Sequence, residues 1–360
     1  FKVEILQTHI GRNEVLNMFR RKIMIVGALL FCTCISGLVL LLPTKDYMEQ
    51  TFSEKINAGY SPNITIIGDS IGGEATSGEW CTLLEERLEN ETNQSIDLIN
   101  ISKPGNSSFA GIVSWEMMEP IERTLSDLVI LCYGQNDVDD ESFAVNYEAL
   151  IRNTIAGNPN AEIIAVLESS QRDYTNKINT IIELCDYYKI PYVDTIKAFN
   201  ESGYSYDELS DDGVHPNAKG KEIYADAIYK VIQCELLTKK HILDFKGETP
   251  ANRKAKNPKA NQYQEGQYIP VDRMEVKGNT IIADIPQCKI IGFDRVFFDG
   301  KHSITFEVGG ESYDVGYNWD YGFEQQHIDR LVTGDFDEGK AIIVFGDIDT
   351  LEKFNGLVCF

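Results

Sequence analysis

Ile64-Thr65-Ile66-Ile67-Gly68-Asp69-Ser70-Ile71-Gly72-Gly73 is the stretch whose reading decides the fold: four β-branched residues run straight into a turn of glycines and small polar groups. A short β-branched run without polar alternation suits a strand covered on both faces, and the serine that follows it then stands at the carboxyl edge of a sheet. Ligands of open α/β folds bind at that edge. Outward from this run, Ile96–Ile101, Leu128–Cys132, Glu162–Leu167 and Tyr192–Val193 read as further strands. Between them, Trp80–Leu88, Phe143–Ile155 and Lys177–Tyr188 carry apolar residues at helical spacing, and Ala218–Gln233 closes the series. The alternation predicts an α/β layer with a five-stranded parallel sheet.

Composition bounds what such a layer can do. The chain has 360 residues, 43% of them apolar, with 17 Tyr and 17 Phe, enough to bury a sizeable core and to exclude a disordered chain or a mini-protein. Lys plus Arg total 33 against 56 Asp plus Glu, a net charge of −23, which repels phosphate backbones and argues against nucleic acid as a partner. The eight cysteines form no CxxC pair and no regular spacing, and the five histidines no HxH or HxxxH pattern, so neither a disulfide framework nor a zinc centre is expected.

Residues 23–42, IMIVGALLFCTCISGLVLLL, carry no charge, and as a helix would span roughly 30 Å, the thickness of a hydrocarbon core. Arg20, Arg21 and Lys22 precede this run, whereas Asp46 and Glu49 follow it, so the expected topology is a single-pass signal anchor with residues 1–22 in the cytoplasm. Everything after a spacer at 43–61 is then extracytoplasmic. The catalytic candidate is 62–240. A Lys-, Asn- and Gln-rich stretch within 241–268 reads as a linker, and 269–360, with short strands at Arg273–Asp284, Lys289–Phe298, Ser303–Val308 and Lys340–Phe345, as a small β-rich domain.

Four places carry residues with chemistry. Ser70 sits where a nucleophile is accessible; alone, Gly-Asp-Ser equally reads as a capped turn. In Asp212-Gly213-Val214-His215-Pro216-Asn217, before the last helix, an imidazole and a carboxylate supply a base and the group that fixes its tautomer; the same segment also suits a turn with Asn217 as helix cap. Asn136 in Gly134-Gln135-Asn136-Asp137 follows the very apolar strand Leu128–Cys132, and Gly105 follows Ile96–Ile101, with Gly111 close by. An amide side chain and a backbone N–H at those strand ends are donors of the kind an oxyanion requires.

Taken together these blocks resemble the SGNH, or GDSL-like, hydrolase superfamily, which carries Ser, Gly, Asn and His in this chain order; the likeness covers about residues 62–234. It implies a flavodoxin-like three-layer sandwich, with Ser70 as nucleophile, His215 as general base and Asp212 as its orienting carboxylate. Ser70 N–H, Gly105 N–H and the Asn136 amide would form the oxyanion hole, and no cofactor is required. The resemblance implies a serine esterase, and an outward-facing one meets acylated carbohydrate first, so short O-acetyl esters on glycans are the expected substrates. The same residues also suit an acyltransferase or a lipase or lysophospholipase, and a catalytically inactive glycan-binding surface protein is the alternative outside enzymes. In the C-terminal part, Tyr313, Tyr317, Trp319, Tyr321 and Phe323 are expected mainly as core, with sugar stacking as the other reading. Asn90, Asn93 and Asn106 head glycosylation sequons expected on exposed segments.

Overall fold

The first helix of the described chain, α1 (Phe52–Ala58), begins with Thr51 and Glu54 bonding each other's backbone ends in a capping box, and it buries Phe52 and Ile56. The structure, a computed structural model, describes residues 49–73, 78–170, 176–237 and 253–360. The expected transmembrane segment 23–42 lies outside them, and among the described residues no helix is long and apolar enough to cross a membrane. Within the stretch read as a spacer, α1 is anchored: buried Lys55 pairs with Asp127 at 2.6 Å.

The α/β layer runs β1 (Asn63–Gly68), α2 (Trp80–Thr92), β2 (Asp97–Asn100), α3 (Ser108–Met117), α4 (Pro120–Leu125), β3 (Leu128–Cys132), α5 (Glu141–Gly157), β4 (Glu162–Leu167), α6 (Asn176–Tyr188), β5 (Tyr192–Asp194), α7 (Thr195–Glu201) and α8 (Ala218–Val231). All five strands are parallel in the order β2-β1-β3-β4-β5. This is the flavodoxin-like order, and its switch point falls between β1 and β3, where the connections leave to opposite faces and open a crevice at the carboxyl ends. β3 is central and buried at all five positions, which explains its unbroken apolar run. Two cores flank the sheet, one under α3, α5 and α6 and one under α1, α2 and α8.

The C-terminal region is a β-sandwich. Its strands are β6 (Gln267–Pro270), β7 (Glu275–Lys277), β8 (Thr280–Ile285), β9 (Cys288–Phe297), β10 (Gly300–His302), β11 (Ile304–Val308), β12 (Glu311–Asp314), β13 (Tyr317–Trp319), β14 (Gln325–Phe336), β15 (Gly339–Phe345) and β16 (Phe354–Cys359), with a short α9 (Ile348–Glu352). A five-stranded sheet, β12-β11-β15-β8-β7, faces a four-stranded one, β14-β9-β16-β6, across a core that includes Phe293, Phe306 and Leu357. The single strand expected over Arg273–Asp284 is a hairpin, because Gly278 at φ +61° reverses the chain there. β14 has no alternating pattern in sequence, since it is bulged twice against β9 and covered from both sides over part of its length.

The four-stranded sheet turns its second face to the α/β layer. Ile290, Ile328, Val358 and Phe360 join the core formed with α3 and α5, and Tyr263 lies there too. Tyr263 ends a 3-10 helix, Pro258–Tyr263, inside the stretch read as a linker. Asn153 Nδ2 donates to its carbonyl at 2.8 Å. The helix α3 is buried on every side from Ser108 to Trp115, which is why it shows no polar stripe.

Candidate active site

β1 ends at Gly68, and the chain folds back so tightly after it that a Cβ on Gly68 would lie 2.8 Å from the Cys132 carbonyl oxygen, and one on Gly72 2.5 Å from Ser102 Oγ. A side chain at Gly68 would strike backbone, and one at Gly72 would force the Ser102 hydroxyl aside. The turn is held by Asp69, whose Oδ1 accepts the Ile71 N–H at 2.8 Å, and by Trp80, whose indole N–H donates to the Ile71 carbonyl at 2.8 Å. Ser70 is thereby fixed at the carboxyl edge of the sheet with its side chain partly exposed.

The loop that meets it lies before α8. Asn217 caps that helix through the N–H groups of Lys219 and Gly220, and its own N–H donates to the Leu209 carbonyl. Gly213, at φ +78°, completes the turn. Asp212 Oδ1 accepts the N–H groups of Val214 and His215, each at 2.8 Å, and Oδ2 lies 2.6 Å from His215 Nδ1. His215 Nε2 lies 2.8 Å from Ser70 Oγ. Carboxylate, imidazole and hydroxyl thus form one hydrogen-bonded row across 145 positions of sequence. The bond from the His215 ring, with the backbone N–H groups behind it, holds the Asp212 carboxyl well below the ordinary carboxylate range.

Of the expected donors, Asn136 follows β3, and its Nδ2 lies 3.2 Å from both Asp69 Oδ2 and the Asn106 carbonyl oxygen. Gly105 follows β2 at φ +71°, beside Pro104, which lines a cavity of about 230 Å³ together with Ser70, Ile71, Trp80, His215 and Lys221. Gly111, the other glycine of that region, is inside α3 against the Tyr133 ring. A larger cleft of about 890 Å³ lies where α5 meets the β-sandwich, around Glu141, Tyr263 and Arg330, and includes none of the candidate residues.

Sequence reading missed a buried acidic pair beneath the crevice. Asp69 and Glu168, which directly follow β1 and β4, are fully buried and hydrogen-bonded side chain to side chain. Glu168 Oε2 accepts the Gln135 N–H at 2.8 Å, and Oε1 lies 3.5 Å from Cys132 Sγ. Burial pushes Glu168 up to about 7, and burial with the charge of Glu168 raises Asp69 well above its usual range. The available signal was an acid placed directly after a central strand. A carboxyl whose pKa is raised by folding keeps its proton in the native state while the unfolded chain releases it, so stability falls as pH rises from about 4.5 to 7. Each proton held only by the folded form is worth about 1.4 kcal/mol per pH unit. Urea midpoints across that window should therefore drop for the wild type and drop less steeply for Glu168→Gln, the rest of the slope coming from the other carboxyls that burial raises, among them Asp69, Asp127, Asp137 and Glu162, the last to about 7, and being offset in part by His327, which burial lowers. Equal slopes for the two proteins would refute the assignment.

Asn106, expected as an exposed sequon, is buried by the β-sandwich: its Oδ1 accepts the Ile328 N–H and its Nδ2 donates to the Gln326 carbonyl, both at 2.8 Å. The six described cysteines are free thiols, five of them buried.

Residues 66–223, somewhat under half of the chain, match the GDSL-like Lipase/Acylhydrolase family. Among solved structures, the fold is similar to a two-domain esterase active on acetylated mannans, co-crystallised with mannopentaose, at 16% identity and a TM-score of 0.66, over 85% of this chain and 92% of that one. A lipase/acylhydrolase from Enterococcus faecalis aligns at 20% identity and a TM-score of 0.40, over 48% of this chain and 95% of that one. An acetyl xylan esterase aligns at 22% and 0.40, over 47% and 99%. At 16% identity the likeness to the first of them is one of fold, and it takes in the β-sandwich as well as the α/β layer. A search of the curated proteins finds no match.

Proposed function

We propose that the chain is a serine carboxylic-ester hydrolase that removes short acyl groups, above all O-acetyl, from carbohydrate. The observation that carries this reading is the row Asp212, His215, Ser70, at 2.6 and 2.8 Å, whose His215 and Ser70 line a small cavity at the switch point of the sheet. The match of residues 66–223 to the acylhydrolase family supports the reaction class, and the similar fold of an esterase active on acetylated mannans supports the substrate class.

In this reading His215 Nε2 takes the Ser70 proton as Oγ attacks the ester carbonyl, and Asp212 stabilises the imidazolium that forms. The oxyanion of the tetrahedral intermediate is received by the Ser70 and Gly105 N–H groups and by the Asn136 amide. The two Asn136 contacts are long, at 3.2 Å, so a charged oxygen readily displaces one of them. His215 then gives its proton to the departing sugar oxygen, which leaves as the hydroxyl, and water repeats the sequence on the acyl-enzyme. A cavity of about 230 Å³, below the usual span of roughly 300–1,000 Å³ for ligand pockets, suits an acetyl group better than a long acyl chain. With residues 23–42 read as an anchor, the enzyme works on the outer side of a membrane, where such glycans are met.

The test is acetate release by the purified protein from acetylated glucomannan, short aryl esters and phospholipid. Acetate from glycan and aryl acetate without an added acceptor is expected. Release of long-chain fatty acid with no acetate would overturn the substrate class, and loss of acetyl from the donor only when a sugar acceptor is supplied, with the acetyl recovered as an ester on that acceptor and not as acetate, would identify a transferase.

A further inference from the structure

The five aromatic residues from Tyr313 to Phe323 divide in the structure. Tyr317 stacks on Phe297 with centroids 4.0 Å apart, and Trp319 is buried; Tyr321 and Phe323 stand 67% and 54% exposed. Their loop is braced rather than slack. Trp319 packs against both rings, with centroids 4.4 Å from Tyr321 and 5.7 Å from Phe323, and its indole N–H donates to the Phe323 carbonyl at 2.7 Å. Gly322, at φ +74°, donates its N–H to Asp299 Oδ1 at 2.9 Å, and Glu324 pairs with Lys353 at 2.6 Å. Two large rings are thus held outward by fixed contacts, so little ordering cost remains for a ligand that lies on them.

The loop leads directly to the wall of the crevice. Gln325 is the first residue of β14, and a Cβ on Gly105 would come within 2.7 Å of its Oε1. Gln326 continues the contact, its Oε1 accepting from Lys103 Nζ at 3.0 Å and its carbonyl from Asn106. Phe323 lies two residues from Gln325, at most about 7 Å of extended chain. On the other side, Gly105 follows Pro104, which lines the Ser70 cavity. The exposed rings thus adjoin Gln325 in the chain, Gln325 packs on Gly105, and Gly105 adjoins the Pro104 that lines the cavity.

We infer that Tyr321 and Phe323 form a sugar-stacking subsite that continues the Ser70 cavity, and that it holds a neutral polysaccharide chain while one acylated residue of that chain occupies the cavity. The inference rests on the esterase reading and narrows it from small esters to polymers. A pyranose ring presents a face of C–H bonds with slight positive charge, which complements the negative face of an aromatic ring. The carboxylates of Asp299, Asp320 and Glu324 lie on the same loops, and with a net charge of −23 they disfavour anionic phospholipid headgroups and acidic glycans.

The test compares wild type with Tyr321→Ala, Phe323→Ala and the double variant on acetylated glucomannan and on aryl acetate. The double variant should lose at least about tenfold in kcat/KM on the polymer, chiefly through KM, and keep its rate on aryl acetate; Tyr321→Phe with Phe323→Tyr should restore the polymer rate. Equal effects on both substrates, or none on the polymer, would overturn the inference and leave the esterase reading standing. Should the wild type hydrolyse neither ester, the esterase reading fails, and binding decides the subsite by itself. Tryptophan fluorescence, to which Trp319 contributes beside Trp80 and Trp115, read while deacetylated glucomannan oligosaccharide is added to the full chain, should shift for the wild type and not for the double variant. Absence of that shift, or a response to phosphatidylglycerol vesicles instead, would refute it.

Discussion

Ser70→Ala should reduce acetate release by about 10⁶-fold, the loss that accompanies removal of the nucleophile where hydroxyl, imidazole and carboxylate act as a unit. The reason is covalent: without Oγ no acyl-enzyme bond forms, and His215 Nε2, now facing a methyl group, has no proton to take from the chain. The fold should be untouched. Ser70 is partly exposed and its described side-chain bond is the one to His215, so the unfolding free energy should stay within about 0.5 kcal/mol of wild type. A fluorophosphonate should label the wild type once and the variant not at all, as read by intact mass. An alanine variant that keeps more than a tenth of the activity would end the proposal that Ser70 is the nucleophile.

Asp212→Asn is the more discriminating change, because the structure fixes how the new amide must sit. Asp212 Oδ1 accepts two backbone N–H groups, from Val214 and His215, and an asparagine there must keep its oxygen on that side to avoid facing donors with a donor. Its NH₂ is then forced toward His215 Nδ1, 2.6 Å away in the wild type. Nδ1 becomes an acceptor, the ring proton moves to Nε2, and Nε2 can no longer receive the Ser70 proton. In a Ser-His-Asp protease the same exchange lowers kcat by about 10⁴ while the geometry survives, and a loss of that order is expected here with an unchanged melting temperature. Asp212→Ala, which leaves the ring free to choose its tautomer, should lose no more than the asparagine variant. A loss below about tenfold in Asp212→Asn would mean that the carboxylate does not set the tautomer.

Much of the site can be read along the chain because each element of it is locally encoded. Gly68-Asp69-Ser70 needs only a strand that ends and glycines that let the backbone turn back on itself. Asp212 and His215 are three residues apart, so their bond is made within one turn. Leu128–Cys132 is apolar throughout because both of its faces are covered. What reads poorly is whatever depends on burial from two sides or on distant partners. α3 has no polar face to betray it, β14 is bulged, and the Pro258–Tyr263 helix is ordered by the core that receives Tyr263. Asn106 looks like an exposed sequon until Gln326 and Ile328, over 200 positions away, cover it.

The sequence by itself determined the kind of chemistry available, a hydroxyl, an imidazole with its carboxylate, and amide donors at strand ends, because residue type and period survive without knowledge of neighbours. Only the tertiary structure decided that Asp69 and Glu168 bury two acids against each other, that Pro104, next to Gly105, lines the cavity while Gly111 is packed against Tyr133 inside α3, and that Tyr321 and Phe323 face water. Those outcomes follow from which strands lie next to each other and which sheet face is covered, and contacts made across such distances leave no periodic trace in the chain.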